Sequence, residues 1–149
     1  MKTKIVYVVV SSEKDIYLEQ AYISMNSARH HMPDVHISLV IDDLTNESLS
    51  GTRAEEAKYA DDVIVFPLDR SLSGQKRSRL LKTNLRNIIQ GDYLFIDTDT
   101  IIVKPLYEVD DFSYDIAACW DSHTTFTNNP YRRLCIEHGH LLGWNIENE

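Results

Sequence analysis

The chain has 149 residues, 43% of them hydrophobic and 26% charged, which suits one domain with a sizeable core and is ordinary for a soluble globular fold. A formal net charge of -8 excludes a general nucleic-acid binder, because such a protein needs a basic footprint against the phosphates. Cys119 and Cys135 are the only cysteines and have no zinc-finger spacing, so a disulfide framework and a structural zinc site are excluded and both thiols are expected reduced in the core.

Lys2 and Lys4 lead into Ile5–Val10, an apolar run too short for a signal-peptide core and followed by no cleavage site. No run approaches the ~20 apolar residues of a membrane span. No membrane span and a cytoplasmic location are therefore expected. Ile5–Val10 itself is continuous and β-branched, the pattern of a strand buried on both faces of a parallel sheet. From Ile16 to about Met32 the residues Leu18, Tyr22, Met25 and Met32, with Ala21 and Ala28, follow helical spacing, and Pro33 ends that helix. Val35–Ile41 is a second strand ending at Asp42 and Asp43. A helix is expected over Asn46–Ala60, with Asn46 as its N-cap. Asp62–Phe66 is a third strand, closed by Pro67. After a loop at Ser71–Gly74, a basic helix from about Gln75 to Ile89 sets Leu81, Leu85 and Ile88 on one face, and Gly91 breaks it. The strand carrying Asp97 follows, and Asp115–Trp120 reads as another.

This alternation predicts an α/β fold: a Rossmann-like, open, mainly parallel sheet with helices on both faces and strand order 3-2-1-4. Ligands of such sheets bind beyond the carboxyl ends of the strands where the order reverses, here between the first strand and the Asp97 strand. That switch point brings Ser11 and Ser12 beside Asp97 and Asp99. The sequence Ser11-Ser12-Glu13-Lys14-Asp15 stands where a G-x-G-x-x-G would bind a dinucleotide, and no P-loop motif occurs.

The segment from Tyr93 to Val103, Y-L-F-I-D-T-D-T-I-I-V, places two acidic residues inside an apolar, β-prone run. Burying bare carboxylates there would be costly without a compensating cation. On a strand, Asp97 and Asp99 would share one face and Thr98 the other. That is the geometry of a two-carboxylate clamp for a hard divalent cation, Mn2+ or Mg2+, whose shell is completed by phosphate oxygens and water. The plainer alternative is a strand end with solvated aspartates or a capped turn.

The string D-T-D-T-I resembles the D-x-D of GT-A glycosyltransferases, and it also fits the motif of haloacid-dehalogenase phosphohydrolases, in which Asp97 would be the nucleophile and Asp99 the general acid/base. In the phosphohydrolases that strand opens the domain, whereas here three strands precede it. With the strand order, the chain resembles the nucleotide-sugar-binding half of a GT-A glycosyltransferase, most similar to family-8-like bacterial enzymes. The likeness runs from Lys4 to about Asp121 and is most specific over R-L-L-K-T-N-L-R-N-I-I-Q-G-D-Y-L-F-I-D-T-D-T-I-I-V, from Arg79 to Val103.

The resemblance implies that Val9, Val10, Ser11 and Ser12 lie along the nucleobase and ribose, largely through backbone groups, and that Tyr17 stacks on the base. Asp42 or Asp43 would accept a hydrogen bond from a ribose hydroxyl or base N–H; an acidic helix start is the alternative for either. Arg79 and Lys82, three apart and so on one helix face, would contact the diphosphate or donor sugar, with Thr98 counted among the nucleotide-sugar contacts. Lys76, Arg77 and Arg86 are expected on a solvated face. Asp121, beside His123, would approach the donor sugar, loop capping being its alternative. The stretch Glu137–His140 reads as a surface loop.

The implied activity is metal-dependent transfer of a hexose from a nucleoside-diphosphate sugar, UDP-linked, to a saccharide or lipid-linked acceptor. Members of that family usually continue into an acceptor-binding half with a late metal-binding histidine, so a shortened member, a fragment or a non-catalytic nucleotide-sugar-binding module is also expected. Leu134, Leu141, Leu142 and Trp144 would then leave an apolar patch that favours a homo-oligomer.

Overall fold

The computed structural model describes residues 1–113, 115–118, 128 and 132–141. The chain divides into two compact units, Met1–Phe112 and Ser113–Glu149. In the first unit, strands β1 (Lys4–Val9), β2 (Ile37–Asp42), β3 (Asp62–Phe66) and β4 (Tyr93–Phe95) form one open parallel sheet in the order β3-β2-β1-β4. β1 is central because its β-branched run supplies apolar side chains to both faces. Ile5, Tyr7 and Val9 pack with Leu18, Ala21 and Met25 of α1 (Tyr17–His31) and with Ile37, Leu39 and Ile41 of β2. On the other face Val6 and Val8 pack with Val40 and with Leu81, Leu85 and Ile89, from α4 (Gly74–Ile88) and its carboxyl end. The expected α/β class, the strand order and the placement of helices on both faces all hold.

Three expectations in this unit need correction. The helix expected over Asn46–Ala60 is two short helices, α2 (Asp43–Glu47) and α3 (Gly51–Ala57). Asp42, rather than Asn46, caps α2, because its Oδ1 accepts the Thr45 N–H at 2.9 Å and starts the helix directly at the end of β2. Gly51, at φ +51°, supplies the left-handed backbone at which α3 begins. The strand expected to carry Asp97 ends at Phe95, its last sheet contact being the Ile96 N–H to the Val6 carbonyl at 3.0 Å. Asp97 Oδ1 accepts the Thr98 N–H at 3.0 Å, and the Thr100 hydroxyl donates to the Asp97 carbonyl at 2.8 Å. These local side-chain bonds compete with the sheet ladder and turn the chain out of it.

Beyond that turn the chain runs along α1, held by the Ile102 N–H to Ser27 Oγ at 2.9 Å. The 3-10 helix Tyr107–Asp111 then returns to the amino terminus, where Asp110 accepts the Lys2 and Thr3 N–H groups at 2.7 and 2.8 Å.

In the second unit, the strand expected over Asp115–Trp120 is not formed across residues 115–118; Ile116 is 88% exposed, and among the described residues that run has no sheet partner. Cys119, Trp120, Asp121, His123, Leu142 and Trp144 lie outside the described residues. Glu137–His140, expected as a loop, belongs instead to α5 (Arg132–Leu141), where an Arg133–Glu137 ion pair at 2.8 Å spans one turn. Leu134 and Leu141 are both exposed on it. No helix among the described residues is long and apolar enough to cross a membrane.

Candidate functional site

A cleft of about 700 Å³ opens over the carboxyl end of β1, between the start of α1, the first turns of α4 and the turn after β4. This is the reversal point of the strand order. Its floor is Val8, Val9 and Val10; Ser11, Ser12, Asp15, Tyr17 and Gln20 form one wall. Gly74, Gln75, Arg77, Ser78, Arg79 and Lys82 of α4 form the other, and Asp97, Thr98 and Asp99 close the β4 end.

The wall at the tip of β1 is built by Asp15. Its Oδ1 accepts the Ser11 hydroxyl at 2.6 Å and the Tyr17 N–H at 3.2 Å, and its Oδ2 accepts the Ser12 N–H at 2.8 Å and the Ser12 hydroxyl at 2.9 Å. Burial acts to raise the Asp15 pKa, but these hydrogen bonds, Ser11 first and then Ser12, outweigh it and hold the carboxyl below its ordinary value. Behind the loop, Arg53 of α3 donates to Ser11 Oγ at 3.0 Å and to Glu19 at 3.1 Å, and Thr45 Oγ1 accepts the Ser11 N–H at 2.9 Å. The hydroxyl and N–H of Ser11 and the N–H of Ser12 are thus engaged within the protein. Val9 and Val10 line the floor as expected by position, and the exposed Tyr17 ring stands at the rim.

Asp42 and Asp43 do not reach this space. Asp42 is fully buried beneath it, its Oδ1 on the Thr45 N–H and its Oδ2 on Arg77. Asp43 pairs with Arg70 at 2.7 Å. Asp42 has both oxygens engaged, and Asp43 gives Oδ2 to Arg70 and does not line the cleft, so both residues take the acidic helix start, the alternative to a ribose contact. Arg77 is the second correction: instead of lying on a solvated face, its side chain is only 13% exposed, pairs with Asp42 and lines the cleft. Arg86 does stay outside, donating to the Gly91 carbonyl at 2.9 Å.

At the β4 end, charges of both signs meet. Asp97 and Asp99 are both exposed to the cleft, and Thr98 between them is buried. Both residues are therefore open to solvent, as in the plainer alternative of solvated aspartates, and the expected cost of burying bare carboxylates does not arise. Lys82 Nζ lies 2.9 Å from Asp97 Oδ2 and 3.1 Å from Oδ1, and 5.4 Å from the centre of the Phe95 ring. Arg79, one turn earlier on α4, lines the same cleft with no side-chain partner among the described residues, and neither has Asp99.

Two carboxylates from one turn, open on the cleft side, fit a hard divalent cation that takes the rest of its shell from phosphate oxygens and water. Among the described residues no group of three or more His, Cys, Asp or Glu side chains offers a closed site. Asp15, Gln20, Gln75, Arg77 and Ser78 also line the cleft, and no motif in the sequence marks them. Asp15 stands just past the end of the first strand, and that position is the one sequence signal that could have marked it. The chain matches no protein-family model and no curated protein sequence.

Proposed function

We propose that this chain binds a nucleoside-diphosphate sugar at the β1–β4 switch point and serves a metal-dependent glycosyltransferase reaction of the GT-A type, which it resembles. The observation that supports this best is the convergence of Asp97 and Asp99 with Arg79 and Lys82 at one end of a single cleft. A diphosphate needs both kinds of group: cationic side chains for its oxygens, and carboxylates to hold a cation between protein and phosphate.

In this reading Asp97 and Asp99 would hold Mn2+ or Mg2+, which supplies Lewis-acid neutralisation of a leaving diphosphate when bound. Arg79 and Lys82 place positive charge where the departing diphosphate gains negative charge, stabilising the transition state more than the ground state. Val9 and Val10 offer an apolar floor for the nucleoside, and Tyr17 offers a ring face for the base. The acceptor would be a saccharide or a lipid-linked sugar. Asp97 lies in a turn after an edge strand, a poorer match to the phosphohydrolase nucleophile than to a metal ligand.

Titration calorimetry with UDP, with and without Mn2+, tests the reading. Binding that tightens with Mn2+, and loses that dependence in Asp97→Asn and Asp99→Asn while the circular dichroism is unchanged, is the expected result. Identical UDP binding with and without the metal would sink it.

A further inference from the structure

Both oxygens of Asp97 face one ammonium, Lys82 Nζ, at 2.9 and 3.1 Å, while Asp99 two residues on has no side-chain partner among the described residues. An ammonium set against both oxygens occupies the carboxylate edge that a cation on Asp97 would use, and two positive charges repel too strongly to share that edge. We propose that Lys82 is a place-holder for the divalent cation on Asp97 and, once displaced, a ligand for the diphosphate, so that the two bind with positive coupling through this side chain. The inference rests on the reading of the cleft given above.

Lys82 is built for such a move. Its backbone is fixed, because Leu81 beside it and Leu85 a turn later are buried against the sheet. Its four-carbon stem is flexible and its head is a compact point charge with three rotatable donors, unlike a planar guanidinium fork. The side chain is one-third exposed, so no packed core has to open for it to swing. Nor does the cleft offer it another free carboxylate. Asp15 is already engaged by Ser11, Ser12 and Tyr17, and Asp99 would share the cation. Asp42 is buried under Arg77. A released Lys82 therefore finds its next anionic partner on the diphosphate, beside Arg79. By linkage, whatever the diphosphate gains from a released Lys82, the cation gains equally when the diphosphate is present.

The test is Mn2+ binding to the full chain without nucleotide, followed by calorimetry and by the electron-paramagnetic signal of free Mn2+, for the natural chain, Lys82→Met and Lys82→Gln. Removing the place-holder should tighten Mn2+ binding by roughly two- to fivefold, the range an exposed ion pair allows. The same variants should weaken UDP binding in the presence of Mn2+ and shrink the factor by which UDP tightens Mn2+. Opposite signs for the two ligands cannot come from simple loss of folded protein, which would weaken both. Unchanged or weaker Mn2+ binding in both variants, with Mn2+-dependent UDP binding intact in the natural chain, overturns the place-holder role alone. Absence of Mn2+-dependent UDP binding in the natural chain overturns the functional reading and the inference together.

Discussion

Asp15 and Arg53 together set the rim of the cleft, one from within the β1–α1 loop and one from α3 behind it. A carboxylate accepting several hydrogen bonds cannot be replaced by an amide without turning an acceptor into a donor facing other donors. Asp15→Asn should therefore cost about 1–2 kcal/mol of stability, towards the low end for hydrogen bonds to a charged group because Asp15 is part-exposed, and weaken nucleotide binding, as read from a urea midpoint and a UDP titration. Arg53→Met should weaken nucleotide binding although Arg53 does not line the cleft, and Arg53→Lys should restore part of it. Equal affinity for UDP in the natural chain and Arg53→Met would remove Arg53 from the account. The Asp97-Thr98-Asp99 string was legible in the sequence because its chemistry is local. Arg53 was not, because its partner Ser11 is 42 residues away and no periodicity marks the pair.

The elements were more legible than the contacts between them. The β-branched run of β1, the helical spacing of α1 and the Leu81–Leu85 face of α4 each report their partner surface directly, and their alternation dictates a parallel sheet. The end of β4 was hidden, since β-prone Ile101, Ile102 and Val103 continue the apolar pattern while local hydrogen bonds at Asp97 and Thr100 leave the ladder. The end of β2 was open to two readings, a ligand contact or an acidic helix start, and Asp42 takes the second: it caps α2 and pairs with Arg77 of α4. Leaving one partner of a buried pair uncompensated costs about 3–5 kcal/mol. Asp42→Ala should lose stability on that scale, whereas the double variant Asp42→Leu with Arg77→Met should lose less than Asp42→Ala. Urea melts of the two decide it; a double variant as unstable as the single one would show that the α2 cap, not the ion pair, carries the effect.

Across the first unit, the chain's beginning is tied to its Tyr107–Asp111 helix by one carboxylate. Hydrogen bonds from the Lys2 and Thr3 backbone N–H groups lower the Asp110 pKa from 3.8 to about 2. A pKa depressed in the folded state stabilises fully above the unfolded value and is lost as pH falls through the folded one. The contribution of Asp110 should thus be complete above about pH 4 and fade towards pH 2, and Asp110→Asn should flatten the fall of the melting temperature over that window. An unaltered slope would remove Asp110 from the acid response. The switch point between β1 and β4 is the feature on which the functional account depends, and resolved amide chemical shifts on adding UDP with Mg2+ test it most directly. The account predicts that the shifts concentrate at Val8–Ser12, at Arg79 and Lys82 and at Asp97–Asp99, and that Mg2+ removal erases those of the last group. Shifts confined to other surfaces, or none at saturating UDP and Mg2+, would contradict it.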